Sequence, residues 1–316
     1  MYPSALIDLH CDTLTAFMAP HRCLDTLDDP QAAFSLSNLP DGIHWCQCFA
    51  IFVPDGLSQP EALAYYRRHA SSFQRQMGCF SSRVSPCRTA GDIQAAWSAK
   101  KTAAFLTVEN GAALGGDLNQ VEELARDGVR LLTLTWNARN EIASGVSAPG
   151  GLTPFGRSLL PLLEQANIII DVSHLNDDSF WDVMEATHAP LVASHSNARA
   201  VCPHRRNLTD DQIRAIVERG GLIGINYYTH FLRQEGLPQP EDLYRHVSHF
   251  LYLGAEHCLA LGSDFDGADL PSWLQSPKQA AGLYDELIHH GFSASFCDQL
   301  MWGNALAFFQ KNLPAS

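Results

Sequence analysis

The chain has 316 residues, 46% of them hydrophobic, enough for one large barrel or two modest domains and without the bias of a disordered or collagen-like chain. Its formal net charge is −13, with only four lysines among 21 basic residues, which argues against nucleic acid or an anionic membrane as partner. Nine scattered cysteines, odd in number and without a Cys-x-x-Cys pair, read as reduced thiols in a cytoplasmic protein rather than as a disulfide framework or thiolate zinc site.

Along the chain, near-continuous apolar runs recur at 5–12, 44–53, 102–109, 129–135, 168–174, 191–196, 222–228 and 258–264. That pattern is expected of parallel strands buried on both faces. Helix-like segments lie between them at 59–77, 118–127, 155–166, 176–186, 209–219 and 239–254. Thr209 followed by Asp210 and Asp211 is a good helix start, since the hydroxyl caps and the carboxylates favour the dipole. Strand–helix alternation repeated eight times predicts a (β/α)8 TIM barrel, one domain over 1–316. Helix-like stretches at 280–290 and 293–309 are extra C-terminal helices, expected on the barrel exterior. An open doubly wound sheet is disfavoured because no Gly-x-Gly-x-x-Gly follows the first strand. Strand-like sequence begins by Ala5, leaving no room for a signal peptide, and no apolar run approaches the roughly 20 residues of a membrane span, so no membrane anchor is expected. Cys46 and Cys48 fall inside a strand-like run and read as packing residues.

The chemistry-bearing residues collect at the carboxyl ends of these runs. His10 and Asp12 end the first and, as residues i and i+2 of a strand, project to one face. Glu109 ends the third, His174 the fifth, His195 the sixth and Asp264 the eighth. In barrels that end carries the active site. Imidazoles and carboxylates without a thiolate suit zinc or a similar divalent ion. They are too many for one tetrahedral ion with an open position, so two ions about 3.5–4 Å apart are expected. A carboxylate must then bridge them, and with Lys100 and Lys101 lying before the third strand, Glu109 is the candidate at the right depth.

Taken together these residues resemble the membrane (renal) dipeptidase family of zinc dipeptidases, peptidase family M19, a branch of the amidohydrolase superfamily. The matching pieces run through nearly the whole chain in order: Asp-Leu-His-Cys-Asp (8–12), Val-Glu-Asn-Gly (108–111), Leu-Thr-Leu-Thr (132–135), Thr-Pro-Phe-Gly-Arg (153–157), Ile-Asp-Val-Ser-His (170–174), Ser-His-Ser-Asn-Ala (194–198), Arg-Arg-Asn-Leu-Thr-Asp-Asp (205–211), Gly-Ile-Asn-Tyr-Tyr (224–228) and Gly-Ser-Asp-Phe-Asp-Gly (262–267). The resemblance implies two Zn2+ ions bridged by Glu109 and a hydroxide, with His10 and Asp12 completing one site and His174 and His195 the other. It further implies that Asp264 shuttles the proton of that hydroxide and that Arg206 contacts the substrate. The implied reaction is hydrolysis of a dipeptide to free amino acids, with tolerance of a D-residue at the C-terminal position. A homodimer is common among the relatives.

One departure stands out. Where the animal enzymes carry a histidine thought to polarise the scissile carbonyl, this chain has Trp136, whose indole offers one neutral donor. Trp136 or Asn137 takes part of that role, or Trp136 is a pocket wall and the ion and Arg206 suffice. Tyr228 is a further pocket candidate, while His204, His246, His249, His257, His289 and His290 read as surface or packing residues and Asp266 and Asp269 as rim acids. Cys202 matches a family cysteine that has no partner here. The rival readings are another amidohydrolase chemistry (deaminase, lactonase or decarboxylase) and a non-catalytic metal-binding protein. Arg206 speaks against the first, because it expects a substrate carboxylate, and Asp264 against the second.

Overall fold

The computed structural model describes residues 2–16 and 26–314. Its strands are β1 (Ala5–Cys11), β2 (His44–Phe52), β3 (Val84–Cys87), β4 (Thr102–Glu109), β5 (Val129–Thr133), β6 (Ile169–Asp171), β7 (Val192–Ala193), β8 (Leu222–Ile225) and β9 (Leu259–Leu261). All pair in parallel, in the order β2-β1-β9-β8-β7-β6-β5-β4, and the ring closes where β2 meets β4 from Cys46↔Ala103 to Phe52↔Glu109. Every strand but β3 belongs to this closed barrel, so the (β/α)8 expectation holds. Closure leaves the barrel strands no open edge, and helices cover the outside.

Besides the single turns Thr13–Ala16, Gly111–Leu114 and Thr229–Leu232, two elements escaped the sequence reading. The first is β3, which runs beside the first half of β4 (Val84↔Thr102 to Cys87↔Phe105), while β5 takes the second half (Leu106↔Val129 to Glu109↔Thr133). It is four residues long and contains Pro86, which an edge position tolerates because no ladder donor is needed on its open side. The second is the helix Ala90–Ser98, whose start is a capping box: Thr89 accepts from the Asp92 amide and the Asp92 carboxylate accepts from the Thr89 amide. The other helices lie where the periodicity puts them, with ends shifted by a residue or a few, as in Asp210–Glu218 against 209–219.

The C-terminal tail is a finding in itself. A continuous helix at 293–309 is expected, but the chain forms Ala294–Asp298, a π-helical turn Gln299–Gly303, and Asn304–Asn312. This last helix does not lie on the outer wall. Ala103, Phe105, Thr107 and Glu109 alternate onto the interior face of β4, and Phe309 stacks on Phe105 with centroids 5.1 Å apart. Ala305, Leu306, Phe308 and Phe309 share one buried cluster with Ile7, Cys46, Cys48, Leu131, Ile169, Val192, Leu222 and Ala260. The tail thus closes the amino-terminal end of the barrel, and the opposite end stays open. The eight cysteines among the described residues are all free, and Cys23 lies outside those residues. Among the described residues no helix is long and apolar enough to cross a membrane.

Phe309→Ala removes a ring that is 2% exposed, and about 3–5 kcal/mol of stability should go with it. Urea unfolding measures this; a loss below about 1 kcal/mol would mean the floor is not packed as described.

Candidate active site

The open end gathers six side chains from five strand ends. His10 is on β1, with Asp12 just past it, and Glu109 ends β4. The other three lie beyond the strands rather than at their last residues, since β6, β7 and β9 stop at Asp171, Ala193 and Leu261 before reaching His174, His195 and Asp264. His174 and Asp264 take the left-handed conformation, with φ of 72° and 64°, which turns each of them sharply after its strand. Beside His195 the backbone is packed closely by glycine: a Cβ on Gly224 or Gly262 would lie 2.0 or 1.9 Å from the Ser194 carbonyl oxygen.

Glu109 sits at the middle of the cluster. Its Oε1 is 2.7 Å from His174 Nε2 and 3.6 Å from His195 Nε2, while its Oε2 is 3.6 Å from His10 Nε2. His10 Nε2 is in turn 3.6 Å from Asp12 Oδ2 and 3.9 Å from Asp264 Oδ1. One carboxylate oxygen therefore faces each half of the cluster. All six residues are buried.

The electrostatics are those of an anionic hollow. Burial, aided by Asp12, pushes the Glu109 carboxyl well above its ordinary pKa, and burial likewise raises Asp264. Burial opposes a charge on His10, but Asp12, Glu109 and Asp264 outweigh it and hold its pKa up at about 10. His174 and His195 are pushed well below the usual histidine value by burial, with Arg206 and His10 adding to the effect, so both rings are neutral.

These residues fit a bound metal on structural grounds. His174 Nδ1 lies 3.0 Å from Asn137 Oδ1, an oxygen that only accepts, so that nitrogen carries the hydrogen and Nε2 is bare. His195 Nδ1 is 2.7 Å from Ser194 Oγ, whose own hydrogen goes to Asp171 at 2.6 Å, so His195 Nε2 is bare as well. Two nitrogen lone pairs then face each other across 2.9 Å. A cation between them would relieve that contact and would also meet Glu109 Oε1, which is 2.7 Å from His174 Nε2. His10 Nε2 and Asp12 Oδ1 are also buried without a hydrogen-bond partner. Nitrogen and oxygen donors of this kind suit zinc.

Above the cluster opens a cavity of about 1010 Å³. Arg206 enters it from the side, buried, with one Nη2 bond to the His195 carbonyl at 3.3 Å, its Nε unpartnered, and its guanidinium 5.3 Å from the Phe231 ring centroid. Burial lowers its pKa to about 10 against the opposing pull of Glu109 and Asp264. It makes no ion pair with an acid among the described residues, as a purely structural arginine would. Trp136, Asn137 and Tyr228 all line the cavity. Trp136 packs edge-on against Phe52 at 4.8 Å, and Tyr228 packs on Phe231 at 4.7 Å. The Asn137 side-chain oxygen is engaged with His174.

Some lining residues were not foreseen. His204, read as a surface or packing residue, is half-buried in the cavity wall, where its Nδ1 accepts from the Arg206 amide at 3.2 Å and its ring packs on Phe231. Its place next to Arg206 in the chain was the available signal. Phe52 and Tyr65 also line the cavity and carry no distinguishing pattern in sequence; Arg205, which opens the 205–211 piece without having been singled out, lines it too. Asp266 and Asp269 do lie at the mouth, and the Asp266 carboxylate accepts from Thr13 Oγ1 and the Ala33 amide, both at 2.7 Å. Asn226 was missed although it follows β8 directly; its Nδ2 donates to Asp264 Oδ2 at 3.0 Å and fixes that carboxylate.

The model of the membrane dipeptidase family, peptidase family M19, matches residues 1–313. An uncharacterized protein from the pqqA 5′ region of Klebsiella pneumoniae is 36% identical over 238 residues, covering 72% of this chain and 88% of that one. Among solved structures, the dipeptidase AC, a metallopeptidase of family M19, superposes with a TM-score of 0.92 at 27% identity, covering 99% of this chain and 100% of the other. A metallopeptidase of Rhodobacter sphaeroides, liganded with a phosphinate mimic of the dipeptide L-Ala-D-Ala, gives 0.91 at 26% identity over 98% of this chain and 99% of its own.

Zinc at about 100 times its dissociation constant should raise folding stability by roughly 2.7 kcal/mol. Thermal melts with and without zinc read this, and Glu109→Ala should abolish most of the shift. An equal shift in both proteins would place the ion elsewhere.

Proposed function

The chain belongs to the membrane dipeptidase family, peptidase family M19, and on that basis we propose that it hydrolyses free dipeptides with the help of two zinc ions. His10, Asp12 and Glu109 would hold one ion, and Glu109, His174 and His195 the other. Bound there, zinc would supply Lewis acidity and lower the pKa of water in the site. The observation that carries the reading is the buried Arg206 guanidinium, without an acidic partner among the described residues and opening into the same cavity as the ligand cluster. A deaminase or lactonase working on a neutral substrate has no use for it.

The protein's own groups then divide the work. Arg206 grips the terminal carboxylate of the dipeptide with a planar fork that matches two carboxylate oxygens, and Phe231 backs the guanidinium plane. Asp264, held by Asn226 and raised in pKa by burial, takes a proton from the attacking water. It returns that proton to the leaving nitrogen as the peptide C–N bond breaks, so that one water is consumed and two amino acids leave. Asn137 orients His174 rather than the substrate. Trp136, packed edge-on against Phe52, is a wall of the cavity. Tolerance of a D-residue at the C-terminal position is part of the proposal, supported by the dipeptide mimic held in the Rhodobacter sphaeroides relative.

The test is turnover of a panel of L-X-L-Y and L-X-D-Y dipeptides by zinc-loaded protein, alongside the same compounds as C-terminal amides. Arg206→Ala should cost roughly 2–5 kcal/mol in kcat/KM on the free dipeptide, with partial rescue by Arg206→Lys. Amidation should hurt the wild type strongly and the alanine variant little; equal losses in both would remove the carboxylate from the role of Arg206.

Asp264→Asn keeps the shape and removes the proton acceptor, so kcat should fall by on the order of 10²–10⁴. Elemental analysis should still find about two ions per chain. A variant of near-normal kcat would take Asp264 out of the proton path.

A further inference from the structure

Beneath the ligand cluster lies a layer of polar groups that the proposed reaction does not use, and Asp171 is its centre. This carboxylate, fully buried at the end of β6, receives four donors. The hydroxyls of Thr133 and Ser194 reach Oδ2, each at 2.6 Å. The amides of Ser173 and Ser194 reach Oδ1 at 2.9 and 3.0 Å. On its other side, Ser194 Oγ is 2.7 Å from His195 Nδ1.

A hydroxyl has one hydrogen and can serve a histidine either as donor or as acceptor. Serine alone therefore leaves the tautomer of His195 undecided. The two Asp171 oxygens accept from all four of these donors, the Ser194 hydroxyl among them, so Asp171 claims the Ser194 hydrogen. Ser194 Oγ is then left to accept from His195 Nδ1, and the free lone pair of the ring falls on Nε2, aimed at Glu109 and His174. We propose that Asp171 is a positioning residue which, through Ser194, sets the tautomer of His195 and so makes Nε2 available to a metal. The inference rests on the metal-holding reading given above.

The two neutral imidazoles of the cluster are fixed in different ways. His174 meets an unambiguous acceptor, Asn137 Oδ1, from the cavity wall. His195 is fixed from below through a group that needs a third to decide its direction. Burying a carboxylate is costly unless it is fully hydrogen-bonded, and the two hydroxyls and two amides meet that need. The Ser194 amide bond also ties β6 to the end of the two-residue β7, so Asp171 has a structural task as well. The substitution Asp171→Asn separates the two tasks. The amide oxygen can still take both backbone N–H groups, while its NH₂ replaces Oδ2 as a donor. Ser194 then accepts from it, and the serine hydrogen is released toward His195 Nδ1.

The experiment uses the full chain after chelator treatment, with zinc as the only ligand. Imidazole 15N spectra report the tautomer, and competition with a chromophoric chelator reports zinc affinity. In the wild type His195 should show hydrogen on Nδ1; in Asp171→Asn it should move to Nε2, with His174 unchanged and zinc affinity lowered by about 10–100-fold. A folded Asp171→Asn protein that keeps the Nδ1–H tautomer, or that binds zinc as tightly as the wild type, overturns the proposal. If that variant does not fold, Ser194→Ala decides. It removes the relay and leaves both backbone bonds to Asp171, so zinc affinity should drop about tenfold or more, and an unchanged affinity overturns the proposal. Because no substrate is involved, a wild-type protein that binds zinc but cleaves no dipeptide counts against the proposed reaction and not against this role of Asp171.

Discussion

Three carboxylates, those of Asp12, Glu109 and Asp264, converge on His10 at the open end of a barrel whose lower interior is apolar. Like charges in a poorly solvated hollow repel strongly, and the protein supplies little to offset them. Arg206 is the one buried arginine or lysine among the described residues. Two of the three imidazoles are held neutral. Most of the remaining local design follows from this unmet demand for positive charge: the bare Nε2 atoms, the carboxylate with one oxygen toward each half of the cluster, and a guanidinium kept close without being neutralised by a salt bridge.

The supporting layer explains how such a cluster keeps its shape. Asp8 accepts from the Ser263 amide and hydroxyl and from Gln47, much as Asp171 accepts from serine and threonine. Each lies shortly before a histidine of the cluster in the chain, two residues before His10 and three before His174. Buried carboxylates saturated by donors are rigid, and they hold the turns at the strand ends where backbone pairing has already stopped. The site is therefore built on short polar ties, because β6, β7 and β9 are too short to carry His174, His195 and Asp264 themselves.

Much of this was legible in sequence. The apolar runs are near-continuous because both faces of a barrel strand are buried, and His10, Asp12, Glu109, His174, His195 and Asp264 stand out as polar interruptions at their ends. What stayed hidden has physical reasons. The strand Val84–Cys87 is too short and too polar to register as a periodic run, since it needs to satisfy only one neighbour. His204 lies in a loop, Phe52 at the end of β2 and Tyr65 on the helix Gln59–Cys79, and their meeting in one cavity is a tertiary outcome that no local pattern encodes. The fate of the C-terminal helix was misjudged for a similar reason: an apolar face says that a helix is covered, not whether it covers the wall or the floor.

The pairing of β1 carries a consequence for how this protein is made. Its two barrel neighbours are β2, next along the chain, and β9, near the other end, where Asp8 meets Leu261. During synthesis β1 can find β2 early, but its other edge has no partner until nearly the whole chain has emerged. The floor cannot be sealed before Phe309 arrives, later still. A nascent barrel thus waits, with an unpaired apolar edge and an open base, for β9 and Phe309 to leave the ribosome. Contacts so distant in sequence fold slowly, and the waiting surface is the kind that chaperones hold.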